Sequence, residues 1–138
     1  MNDWSDRLSG PALDDRDETV SGQQIDGVGI SDRTSNETGW TALLGNRRRT
    51  DEVSIYAAPA RATDHSGLPP AYIESGSAEV FRDEAVALAS RIWNAGGSAE
   101  LHIWAGGFHG FQTIVPTAAV SRRAVQTRES WVRRMLAP

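Results

Sequence analysis

The chain has 138 residues, 39% hydrophobic and 23% charged, with a formal net charge of −4. This balance fits one folded domain with a single core, not a disordered segment, and no apolar run approaches the ~20 residues needed to span a bilayer. Cysteine is absent and all fourteen basic residues are arginine, which excludes disulfides, thiolate metal sites, Schiff-base lysines and Walker-type phosphate loops.

The opening Met1-Asn2-Asp3-Trp4-Ser5-Asp6 has neither the basic start nor the apolar stretch of a signal peptide, so a cytoplasmic location is expected. Met1 to Gly10 is polar with one tryptophan and no clear period. Pro11-Ala12-Leu13 followed by Asp14-Asp15-Arg16-Asp17-Glu18 reads as a strand end running into an acidic loop. The Asp14-Asp15 pair has no metal-ligand partners nearby in sequence, and no metal or cofactor site is expected. Between Thr19 and Arg33, Gly22, Gly27 and Gly29 indicate irregular structure. Thr34-Ser35-Asn36-Glu37 offers N-caps for a short helix through Trp40, Leu43 and Leu44, with Gly45 as its stop.

Asn46 to Gly67 reads as loop, with a short apolar piece at Val53–Ala58. The cluster Arg47-Arg48-Arg49 is flanked by Asp51 and Glu52 and lacks interleaved aromatics. It therefore reads as a solvated loop, and no nucleic-acid partner is expected. Regular alternation begins after Pro69-Pro70. Ala71-Tyr72-Ile73-Glu74-Ser75 is a short strand ended by Gly76. From Arg82 to Ala95 the residues Ala85, Leu88, Ala89, Ile92 and Trp93 form one apolar helical stripe, stopped by Gly96-Gly97. Ala99–Trp104 is the next strand, with Leu101 and Ile103 on one face. The segment Thr117–Leu136 carries Ala124, Val125, Trp131, Val132, Met135 and Leu136 and reads as a closing helix on the sheet.

Strand, helix and strand across Ala71–Trp104 make a βαβ unit with parallel strands, so the fold class is α/β. Ligands of open parallel sheets gather beyond the carboxyl ends of the strands. Glu79 and His109 both fall just past those ends. A carboxylate accepting the Nδ1–H of a histidine fixes its tautomer and stabilises the imidazolium. Gly106, Gly107 and Gly110 allow the turn around His109, and Phe108 and Phe111 can anchor it.

The competing reading of His109 is a loop histidine tied to a backbone carbonyl, but its Gly-Gly-Phe-His-Gly-Phe setting favours the catalytic type. His65 and His102 are read as structural. Asp83 and Glu84 also compete as the acid. They sit at a helix N-terminus, where the dipole and free N–H groups explain them, so Glu79 is the better candidate. An acid followed by histidine matches a nucleophile–acid–histidine chain order. No Gly-x-Ser-x-Gly occurs in the 138 residues.

Leu68-Pro69-Pro70-Ala71-Tyr72-Ile73, Gly76-Ser77-Ala78-Glu79-Val80-Phe81-Arg82-Asp83-Glu84, Ala95-Gly96-Gly97 and Trp104-Ala105-Gly106-Gly107-Phe108-His109-Gly110-Phe111 together resemble the C-terminal part of the α/β-hydrolase fold-3, or hormone-sensitive-lipase-like, esterases. Pro11–Asp15 and Tyr56–Arg61 are similar to that family as well. The resemblance implies an incomplete α/β-hydrolase sheet over residues 11–138, after a poorly matching segment 1–10. It implies a Ser-Glu-His triad with Glu79 as acid, where many members have aspartate, and His109 as base. Ala105 stands where proline is common. The family's oxyanion loop and nucleophile elbow lie N-terminal to the matched region.

The expectation is therefore a carboxylic-ester hydrolase portion acting, in the complete enzyme, on a small-molecule ester, with no activity alone. A truncated frame, an alternative start or a split gene would explain such a chain. Its partner would be an N-terminal half or a second copy of itself. The alternative is a non-catalytic remnant that pairs with another chain.

Overall fold

The computed structural model describes residues 6–137; Met1–Ser5, with Trp4, and Pro138 lie outside the described residues. Three parallel strands form one sheet in the order β1 (Asp6–Ser9), β2 (Ala71–Gly76), β3 (Ala99–Trp104). The register pairs Asp6 with Ala71 and Ala71 with Ala99. Central β2 is buried along its whole length, as expected of a strand bonded on both edges and covered on both faces.

The βαβ reading is confirmed by the parallel pairing of β2 with β3 and by helix α3 (Arg82–Asn94) between them; the two short helices α1 (Val20–Gln24) and α2 (Arg33–Leu44) precede β2. Ala85, Leu88, Ala89 and Ile92 of α3 are buried against Ala71 and Ile73, with Leu13 in the same cluster. Trp93 departs from the expected stripe. It is 47% exposed, and its indole N–H donates to the Ala99 carbonyl. Gly96, at φ +78°, turns the chain so that the Gly97 N–H reaches the Ile92 carbonyl at 2.9 Å, the six-to-one closure of a helix C-terminus.

The opposite face carries a polar centre inside apolar packing. Glu74 is fully buried; Arg128 donates to its Oε1 at 2.8 Å, and Tyr72 and the Trp104 indole donate to its Oε2. Arg128 comes from the long helix α5 (Ala119–Leu136), joined to β3 through the one-turn helix α4 (Phe111–Ile114). Trp131 of α5 packs on Tyr72 with ring centroids 5.6 Å apart. Burial, together with the Glu74 carboxylate, pushes the Tyr72 hydroxyl well above its ordinary range. Losing one member of a buried ion pair costs roughly 3–5 kcal/mol, so this cluster fastens α5 to β2. The closing helix is as expected, with Ala124 and Trp131 buried, although Met135 and Leu136 are exposed.

The N-terminal part differs from the sequence reading in three places. The first strand is Asp6–Ser9 rather than a strand ending at Leu13. Its side chains are largely exposed because it lies at a sheet edge, which leaves no apolar alternation to detect. Leu13 cannot continue the ladder, because its N–H and that of Asp14 both donate to Glu84 Oε2, at 2.6 and 2.9 Å. Helix α1 forms within the stretch expected to be irregular, capped by the Thr19 side chain, which accepts the Gly22 N–H. Helix α2 starts one cap earlier than expected: Asp32 accepts the Ser35 N–H while Ser35 Oγ accepts the Asp32 N–H, a reciprocal capping box. Trp40 and Leu44 of α2 form a second cluster with Val53 and Ala58, whereas Leu43 is exposed.

Arg48 is also not simply a solvated loop residue. Its Nε donates to the Asp15 carbonyl, and the Arg49 N–H donates to the buried Asp15 carboxylate at 2.7 Å. Arg61 adds a two-point ion pair to the same carboxylate. The acidic loop is thus bound down by arginines. No helix among the described residues is long and apolar enough to cross a membrane.

Glu84 connects this loop to α3 and has a pH consequence. Burial pushes its carboxyl up to about 7, against the pull of the two backbone N–H groups. The folded chain then binds a proton that the unfolded chain, with an ordinary glutamate value, releases. Stability contributed by this group is full at low pH and falls as pH rises from about 4.5 to about 7, by on the order of 3 kcal/mol. Denaturant unfolding at a series of pH values should show this loss, and Glu84→Gln should flatten the slope across that window.

Candidate active site

The carboxyl ends of β2 and β3 deliver two loops that are bonded to each other. The Ser77 N–H donates to the Trp104 carbonyl, the Ala78 N–H to the Gly107 carbonyl, and the Gly106 N–H to Ser77 Oγ, each at 2.9 Å. The backbones approach so closely that a Cβ on Gly76 would overlap the Gly107 carbonyl. Glycine at position 76 is therefore a steric requirement of the loop pairing.

This pairing places Glu79 beside His109. The Glu79 carboxylate is 2% exposed as a residue, and its Oε1 lies 2.7 Å from His109 Nδ1. Its other oxygen accepts the Ser75 hydroxyl and the Gly76 N–H, both at 2.9 Å. With three donors around it the carboxylate is satisfied despite its burial. Since Oε1 only accepts in its ionised form, Nδ1 carries the proton, and neutral His109 presents a lone pair at Nε2. Nε2 has no hydrogen-bond partner among the described residues.

The His109 ring is half-buried, with the Phe81 ring edge-on at 5.4 Å. Phe111 is fully buried behind it, and its carbonyl accepts the Ser121 hydroxyl of α5. The hydrogen bond to Glu79 raises the His109 pKa above its ordinary value, with partial burial opposing it. A cleft of about 350 Å³ opens beside the pair, lined on one side by Ser9, Gly10 and Ser75 and on the other by Gln112, Thr113 and Arg128. An imidazole with a free Nε2 facing a cleft, oriented by a buried carboxylate, can accept a proton from a hydroxyl placed there.

Of the competing acids, neither Asp83 nor Glu84 is at the histidine. Asp83 accepts the Ser21 N–H and an Arg82 N–H, and Glu84 holds Leu13 and Asp14. Both are placed at the start of α3, and both tie it to the preceding loops. His102 lies on β3, 3.0 Å from Glu100 and stacked on Trp104. His65 is buried, with Nε2 unpartnered. Among the described residues no group of three or more His, Asp or Glu could hold a metal ion.

Two contributors to the site were not read from the sequence. Ser75 was seen only as the end of a strand, although its spacing of four from Glu79 is the signal that a strand-end hydroxyl can reach back to that carboxylate. Gly10, at φ +56°, reads in the sequence only as the end of an unpatterned segment. A Cβ there would overlap Glu79 Oε1 and lie 3.1 Å from His109 Nδ1. Its N–H donates to the Glu74 carbonyl at 2.8 Å, so the turn leaving β1 closes directly over the acid–imidazole contact.

Residues 8–113 match the sequence pattern of the family described as the alpha/beta hydrolase fold. An acetyl-hydrolase of Streptomyces hygroscopicus is 34% identical over 84 residues, which is 61% of this chain and 28% of that protein. Among solved structures, a bacterial heroin esterase superposes with a TM-score of 0.93 at 40% identity, covering 97% of this chain and 43% of its own. The esterase LipW from Mycobacterium marinum gives a TM-score of 0.89 at 29% identity, over 97% of this chain and 41% of that one. The chain spans less than half the length of each of these relatives.

Proton NMR titration of the imidazoles tests the site geometry. His109 should titrate above the ordinary histidine value, and Glu79→Gln should bring it down. Gly10→Ala, which forces the pair apart, should lower it as well. An unchanged His109 titration in both variants would contradict the contact.

Proposed function

Because the chain belongs to the alpha/beta hydrolase fold family, we propose that it carries the acid and base of a carboxylic-ester hydrolase, with Glu79 as the acid and His109 as the base. The observation that supports this most strongly is the 2.7 Å contact between His109 Nδ1 and a buried, fully bonded Glu79 carboxylate. In this reading residues 11–138 are the C-terminal part of the hydrolase domain.

A serine hydroxyl in the cleft would give its proton to His109 Nε2 as its oxygen attacks the ester carbonyl. His109 would then hand that proton to the leaving alcohol, and water would release the acyl group by the same route. Glu79 accepts the Nδ1–H throughout and stabilises the imidazolium, which needs that bond most when charged. Donors for the developing oxyanion are a separate requirement. The 138 residues contain no Gly-x-Ser-x-Gly elbow, so in this reading the nucleophile and those donors lie outside them. The substrate is a small-molecule ester.

A second reading is supported by the sheet itself. Among the described residues β1 pairs only with β2, on one side, and an unpaired strand edge is a template for another strand. A separate N-terminal half, or a second copy of the chain, would add there. If no such addition restores chemistry, the chain is a non-catalytic remnant that binds through this edge.

The chain alone should hydrolyse short-chain nitrophenyl esters no faster than its His109→Ala variant. Adding a serine-bearing N-terminal hydrolase half should raise the rate with the unaltered chain and not with His109→Ala. A measurable rate for the chain alone that His109→Ala removes would overturn the claim that it lacks a nucleophile. Equal rates with both partners in the mixture would overturn the role of His109.

A further inference from the structure

A second cavity, of about 620 Å³, shares no residue with the cleft beside His109. It lies at the other end of the sheet, between the segment leading into β2 and the end of α3 that leads into β3. Ala60 to His65 line it on one side, Arg91, Asn94 and Ala95 on the other, and Arg16 closes it. Three guanidinium groups therefore border one cavity, with Asp64 as the only carboxylate residue in its lining.

Each arginine is held by only part of its guanidinium. Arg16 gives Nε and Nη2 to Asp14, and Arg61 gives Nε and Nη2 to Asp15. Arg91 gives Nη1 to the Ala60 carbonyl at 2.6 Å. This leaves Nη1 of Arg16, Nη1 of Arg61, and Nε and Nη2 of Arg91 without a protein acceptor among the described residues. A guanidinium fixed on one edge is a pre-organised donor on the other, because its fork geometry costs no further ordering. The Asp64 carboxylate is occupied by the Ser66 N–H at 2.8 Å.

The second observation is His65. It is 6% exposed, and its Nε2 is fully buried with no hydrogen-bond partner. His65 lines the cavity, so its ring reports what binds there, while the free guanidinium edges supply the donors.

We propose that this cavity is a binding site for a small oxyanion of the phosphate-monoester class, separate from the hydrolase site. The tetrahedral head group has enough acceptor oxygens to take donors from several arginines, and the cavity leaves room for a small organic substituent. Asp14 and Asp15 partly neutralise Arg16 and Arg61, so the expected affinity is modest, with Kd near millimolar.

The full 138-residue chain can be melted with and without 10 mM glycerol phosphate, inorganic phosphate or succinate, against sodium chloride at matched ionic strength. The phosphate monoester should raise Tm by about 3 °C, and the His65 ring resonances should shift with saturation. Arg91→Gln should lose most of that rise relative to its own melt in chloride, whatever the variant's own stability. A shift with inorganic phosphate equal to that with the monoester means the head group alone is recognised, which supports the site but not the room for a substituent. A rise with succinate as large as with both phosphates would overturn the phosphate class. An equal rise in Arg91→Gln, or no rise and no His65 shift with any anion, would overturn the site.

Discussion

The Glu79 carboxylate is the point on which the carboxyl edge of the sheet depends. Burying it would be prohibitive without compensation, and its three donors come from three places: a strand-end hydroxyl at Ser75, a loop N–H at Gly76, and the imidazole of His109 on the next strand's loop. The carboxylate therefore holds two β-strand ends in fixed relation while it orients the imidazole. The geometry tolerates little else. Gly76 sits against Gly107 and Gly10 sits against Glu79, and in both places a single methyl group would overlap an oxygen of the site.

Two other buried acids play a comparable part for the scaffold. Glu74 ties α5 to the middle of the sheet through Arg128, and Glu84 ties the N-terminal loop to α3 through backbone N–H groups. Glu74 lies on the face of β2 that α5 covers, and Glu84 on the helix that packs against the other face. The Ser121 hydroxyl completes this by bonding the Phe111 carbonyl, two residues beyond His109. A small sheet of three strands thus holds its site rigidly with polar groups that are nearly all paired. Glu84 Oε1 is an exception, in keeping with its elevated pKa.

The sequence made the region from Ala71 to Phe111 legible because its signals are strong and local. An apolar helical stripe, a double glycine stop and two short strands fix a βαβ unit, and the unit fixes where Glu79 and His109 emerge. The N-terminal third was read less well, for a physical reason. Strand β1 has an exposed side-chain pattern, and the order of the loop after it comes from distant partners: Leu13 from Glu84, Asp15 from Arg49 and Arg61. No local period records such contacts. The same holds for Gly10 and Ser75, whose roles exist only once three separate segments meet. Arg48 and Trp93 depart from the sequence reading in opposite directions, since periodicity alone does not say which side chain finds a carbonyl partner.

The central claim is that the acid–imidazole pair is fully formed within this chain, without the polypeptide that would carry the nucleophile. Low-temperature proton NMR of the isolated chain near neutral pH tests it most directly, through the exchangeable proton on His109 Nδ1. The account predicts a resonance far downfield of the amide envelope that disappears in Glu79→Gln and in His109→Ala while His65 and His102 are unaffected. A chain with no such resonance, or one in which it persists in Glu79→Gln, would contradict the account.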